Sequence, residues 1–201
     1  RELHIVDRRQ RQMCIRDRGD SRPASGAEHL VAHYLEMISL AQGKNTSLHG
    51  LRVGVATLII HKIYQRFLKE IEAIDWEKIT SPHSVHMNQE ILPKKFGSLY
   101  PSIEKEVNQK ISSPLVFNNS FKKPGFLNHL RKMISEKLFA VPDVELALKR
   151  SGTPTTFKEL GFPQPLVRDS FLYSRFVRNR ITILDILDKA GLLEEYIEEF
   201  L

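Results

Sequence analysis

Cysteine is almost missing from this sequence. Cys14 is the only one in 201 residues, which excludes an internal disulfide framework and fits a reducing compartment, the cytoplasm by default. No run approaches the ~18 consecutive apolar residues of a membrane-spanning helix. The Arg-rich start is followed by no apolar segment of signal-peptide type, so membrane insertion is not expected. A Lys/Arg stripe with interleaved aromatics is also lacking. The net charge of +6 is modest, and the first twenty residues, with six Arg against four acids, carry part of it. Such a balance fits a solvated surface and no nucleic-acid groove. No stretch alternates apolar and polar residues with β-branched enrichment, so no sheet is expected. There is no internal repeat and no Gly-rich phosphate loop.

What is present is the composition of an ordinary globular domain, 41% hydrophobic and 27% charged. Residues 1–20 differ from the rest. Their Arg density has no helical amphipathicity, and RQMCIRDR reads as a foreign translated segment or a disordered basic tail. The helical part is taken as residues 21–201.

That part predicts an all-α, orthogonally packed bundle. Ser25 and Glu28 make an S-x-x-E capping box for a helix running to about Gln42 and stopped at Gly43. Leu30, Met37 and Leu40, with Tyr34, give it an apolar face. The second helix, from near Leu48 to about Glu70, is apolar almost all round and should be the central buried one. Gly50 and Gly54 leave a smooth stripe on it where another backbone can approach. Asp75–Ile79 reads as a short helix, followed by a polar connection holding the H-x-x-H pair His83 and His86, which lacks a third ligand. Further helices are expected at Ser102–Ile111, Gly125–Leu138, Val144–Lys149, Gln164 to about Arg178, Thr182–Lys189 and Leu193–Phe200. Pro114, Pro124, Pro142 and Pro154 punctuate them.

The chemistry concentrates on three histidines. His29 and His33 lie one turn apart on the first helix, and Glu36 follows at the next turn. His49 opens the Gly-bearing second helix, where the positive helix end favours the neutral imidazole that a metal needs. HLVAH is not the metalloprotease H-E-x-x-H, because Leu30 stands where its Glu would be. Two imidazoles with one carboxylate suit a catalytic divalent metal. Of the local carboxylates, Glu28 is assigned to the cap and Glu36 lies two turns from His29. The local residues thus supply two ligands and a neighbour, without a clear third.

RPASGAEHLVAHYLEM followed by SLHGLRVGVATL resembles the metal-binding region of sn-glycerol-1-phosphate dehydrogenases, especially bacterial ones. These belong with the iron-type alcohol dehydrogenases, glycerol dehydrogenase and dehydroquinate synthase. RDSFLYSRFVRNRITILDILDKAGLL, with its Arg-x-Arg-x-Thr-Ile-Leu element, and SGTPTTFKELGF resemble the same branch. The likeness covers residues 21–201 in order.

The resemblance implies that His29 and His49 ligate a divalent metal, zinc or nickel, and that His33 faces the substrate in a catalytic role. It implies NAD(P)-dependent, metal-assisted hydride transfer interconverting dihydroxyacetone phosphate and sn-glycerol 1-phosphate, and a homodimer. Arg22, Arg178 and Arg180 are candidates for the substrate phosphate, or are structural. The family's third ligand, an upstream Asp, and its N-terminal dinucleotide-binding α/β domain are not in this sequence. The expectation is therefore a partial C-terminal helical metal-binding domain, inactive alone and with exposed apolar side chains. Two other readings stay open: a relative such as glycerol dehydrogenase, or a non-catalytic helical interaction module with packed histidines.

Overall fold

The computed structural model describes residues 26–74, 76, 90–112 and 125–201. Among these every regular element is helical and no strand occurs, as the lack of period-two patterning requires. The helices are α1 (Ala27–Ala41), α2 (His49–Glu70), α3 (Ile91–Phe96), α4 (Tyr100–Ser112) and α5 (Phe126–Lys137), then α6 (Val141–Arg150), α7 (Gln164–Tyr173), α8 (Ile183–Lys189) and α9 (Leu193–Phe200). Single 3-10 turns sit at Gly97–Leu99 and Ser174–Phe176.

Helix α2 is the central element. Only Gly50 and Lys69 along it are exposed, while Val55, Ala56, Leu58, Ile59, Ile60, Ile63 and Phe67 are buried. α1 packs along it, and α5, α6 and α9 contact it as well. α1 faces this core with Leu30, Val31, Tyr34, Leu35 and Ile38. Leu40, expected on its apolar face, lies outside that stripe and is 42% exposed. The other side of α1 meets α7 and the turn at 174–176. Leu48 and Phe139 are apolar yet 75% and 70% exposed.

Several boundaries differ from the sequence reading. The cap of α1 is Gly26, with no side-chain cap hydrogen bond; Ser25 lies outside the described residues. Glu28, expected to close a capping box, instead hydrogen-bonds His29. α3 falls in a stretch read as polar connection. Its Pro93 is third in the helix, within the first turn, where a missing N–H forfeits no intrahelical bond. Pro142 opens α6 near its N-terminus, so this helix begins at Val141 instead of Val144. α7 ends at Tyr173 and tightens into the 3-10 turn before Arg178. The Asp75–Ile79 helix and the His83/His86 pair lie outside the described residues.

The stripe expected at Gly50 and Gly54 is half realised. A Cβ at Gly54 would come within 3.1 Å of Leu148 and 3.3 Å of Thr153, so α6 and its exit do approach closely there. Gly50 faces open space.

Candidate metal centre

The corner between α1 and α2 is set by a tight reversal. α1 stops at Gly43, whose positive φ of 69° closes the helix end, and the Lys44 amide donates to the Ser39 carbonyl at 2.9 Å. The chain then returns to start α2 at His49. Arg52, one turn into α2, is fully buried. It donates to the Ser47 carbonyl and pairs through Nη2 with Glu36 Oε1 at 2.9 Å. A buried guanidinium demands such a partner. Arg52 thereby fastens the loop before α2, and α2 itself, to α1.

This arrangement brings His29, His33 and His49 together. The ring centroids of His33 and His49 are 4.9 Å apart, and those of His29 and His49 are 5.8 Å apart. His29 Nδ1 is 3.1 Å from Glu28 Oε1. Glu36 Oε2 lies 3.5 Å from His49 Nδ1 and 3.9 Å from His33 Nδ1. Ligand atoms of His33, Glu36 and His49 all fall within 4.8 Å of one another.

The electrostatics follow from this crowding. Burial, reinforced by the charge of His49, pushes His33 down to about 4, with a smaller contribution from Arg178. A hydrogen bond from His49 lowers Glu36 below the ordinary carboxylate range. Burial opposes that shift, and the Arg52 charge aids it. At Glu28 burial acts upward, but the hydrogen bonds from His29 and from its own backbone outweigh it and lower the carboxyl. The corner therefore holds ionised carboxylates beside a neutral His33 at neutral pH. Nitrogen donors with anionic oxygen beside them suit a borderline divalent ion such as zinc or nickel.

Glu36 and Arg52 are the residues that sequence reasoning underused. Glu36 stands two turns from His29 in sequence, yet the return of α2 makes it a neighbour of His49. The available signal was an Arg inside an apolar helix, three residues after His49 and so on the same face. Of the phosphate candidates, Arg178 acts on His33 through its charge and lies 3.9 Å from Glu106. The Arg180 carbonyl accepts from Lys110 at 2.7 Å. Arg22 lies outside the described residues.

Over 173 residues, 86% of this chain, 28% are identical to glycerol-1-phosphate dehydrogenase (NAD(P)+) of Bacillus licheniformis, covering 31% of that protein. The protein of the same name from Halalkalibacterium halodurans is 43% identical over 75 residues, 37% of this chain and 19% of that one. Its namesake from Methanococcus maripaludis is 47% identical over 60 residues, 29% and 18% of the two chains. The sequence is homologous to part of these dehydrogenases. It spans less than a third of the length of the curated relatives it matches first. No protein-family profile matches the chain, and no solved structure does. Among the described residues no helix is long and apolar enough to cross a membrane.

Proposed function

We propose that this chain carries the metal-binding corner of an NAD(P)-dependent sn-glycerol-1-phosphate dehydrogenase, which interconverts dihydroxyacetone phosphate and sn-glycerol 1-phosphate. The observation that carries the reading is the convergence of His29, His33 and His49 in a chain homologous to these enzymes. His29 and His49 hold the ion, zinc or nickel. The bound ion supplies Lewis acidity at the substrate's carbonyl or alcohol oxygen. His33, neutral at pH 7, hydrogen-bonds a substrate hydroxyl and can pass on its proton. Arg178, on the His33 side, offers a cation to the phosphate. A cavity of about 440 Å³ opens beside His29, lined by Glu28, Thr57, His61 and Lys137 together with apolar Val53, Ile60, Met133 and Leu138; His33 and His49 do not line it.

The described helices do not fit a dinucleotide. No strand, and so no strand–Gly-rich turn–helix unit, occurs among them. We assign NAD(P) binding, homodimer formation, catalysis and a cytoplasmic setting to the dehydrogenase as a whole, of whose relatives this chain spans less than a third; the 201 residues alone should be inactive. Every relative cited here bears the glycerol-1-phosphate name, which favours that substrate over glycerol.

Equilibrium dialysis against zinc and nickel tests the corner directly. One divalent ion per chain is expected, with His29→Ala and His49→Ala each abolishing uptake. An interaction module with merely packed histidines takes up none, or keeps its uptake in both variants.

A further inference from the structure

We propose that Glu28 and Glu36 are positioning residues, each holding the Nδ1–H of a metal-binding imidazole, His29 and His49 respectively, so that Nε2 carries the lone pair offered to the ion. This rests on the assignment of His29 and His49 as ligands and adds what aims them.

An ionised carboxylate only accepts hydrogen bonds. With Glu28 Oε1 at 3.1 Å, His29 Nδ1 must be the protonated nitrogen, and in a neutral ring the other nitrogen is then the free donor. The Glu28 carboxylate lies folded over Gly26. A Cβ there would sit only 2.4 Å from Oε1, so a side chain at position 26 would push the carboxylate off His29. The glycine of SGAEH thus leaves the space that Glu28 occupies.

Glu36 stands beside His49 at longer range, and from further away in sequence. Its Oε2 is 3.5 Å from His49 Nδ1, while Oε1 is held by Arg52 at 2.9 Å. Arg52 is fully buried and also bound to Ser47. Turning Glu36 away would take from that buried guanidinium its carboxylate partner, so Arg52 holds Glu36 beside His49. Two imidazoles joined through one tetrahedral ion have ring centroids roughly 5 Å apart; His33 and His49 stand at 4.9 Å and His29 and His49 at 5.8 Å, so the spacing admits either pair. His33 differs from both. Its Nδ1 is 3.9 Å from Glu36, beyond hydrogen-bond distance, which suits a ring that answers to substrate. Carboxylate support of ligating imidazoles is a general device in metal sites, and its removal typically weakens binding about 10–100-fold.

Two measurements on the 201-residue chain test this. Imidazole nitrogen NMR of the metal-free chain, recorded well above the ordinary histidine range, should show His29 and His49 protonated at Nδ1. In Glu28→Ala and Gly26→Ala, His29 should revert to Nε2 protonation, while Glu28→Gln keeps the wild-type pattern. Nε2 protonation of both rings in the wild-type chain overturns the proposal, whatever the metal does. Cobalt(II) titration should then show Glu28→Ala and Glu36→Ala binding about 10–100-fold more weakly, with both Gln variants within a few-fold and giving the wild-type visible spectrum. Wild-type affinity in both Ala variants also overturns it. So does a changed spectrum in Glu36→Gln, which would make Glu36 a direct ligand. Cobalt binding that survives His29→Ala and His49→Ala refutes the ligand assignment instead, and leaves the tautomer result standing by itself.

Discussion

His33 sits where a proton is poorly tolerated, because burial and the neighbouring His49 hold it down to about 4. In the unfolded chain the ring titrates near the ordinary 6.5. Between these values the unfolded state binds more protons than the folded one. The contribution to stability is therefore full above about 6.5 and is lost as pH falls toward about 4. Denaturant unfolding of the metal-free chain across that window should show a decline that His33→Gln removes. An equally steep decline in that variant would place the effect on other groups. The same residue illustrates what was readable in advance. The i,i+4 pairing of His29 with His33 and the position of His49 are stated by spacing alone. Their convergence with Glu36 needed the reversal at residues 42–48 and the buried Arg52, neither of which leaves a periodic trace.

α8 has a complete N-terminal lock. Thr182 and Asp185 form a capping box, with the Thr182 amide and hydroxyl donating to Asp185 Oδ2 at 2.8 and 2.9 Å. Thr182→Ala should cost about 1–2 kcal/mol of unfolding free energy. On α2 the two glycines should part company. Gly50→Ala meets open space and should stabilise the chain by about 0.5–1 kcal/mol. Gly54→Ala meets Leu148 and Thr153, which should cancel that gain. Equal gains from both would contradict the close approach of α6. Two ends match the reading to the residue: α9 runs from Leu193 to Phe200, and α8 ends at Lys189, shortly before Gly191. Where the reading slipped, proline was the reason at α3 and α6, since it breaks a helix interior but is welcome in a first turn. At the end of α7 periodicity could not foresee that Arg175 turns inward, 2.9 Å from Asp188.

At the scale of the molecule, one buried charge network fixes the segment that carries Arg178. Lys110 on α4 donates to the carbonyls of Arg175 and Arg180 at 2.5 and 2.7 Å and pairs with Asp185 at 2.7 Å. Arg175 joins Asp185 and Asp188 from the other side. Lys110→Met leaves Asp185 Oδ1 facing Arg175 alone at 3.6 Å and takes the Lys110 donor from two carbonyls, and should cost about 3–5 kcal/mol in chemical denaturation. A loss under 1 kcal/mol, about what a surface ion pair is worth, would mean the network is solvated.

A second long-range tie has a different kind of consequence. Arg66, near the end of α2, reaches Glu70, Glu195 and Glu199, and Tyr196 donates to Glu70 at 2.6 Å. The central helix is thus covered by residues more than 120 positions later in the chain. A ribosome that has released α1 and α2 still withholds α9, so the end of α2 around Arg66 and Glu70 waits for its last cover while some 120 residues are added. Synthesis, and not the local speed of helix formation, then sets when this fold can close. In that interval the nascent chain is the natural client of whatever shields apolar surface near the exit tunnel.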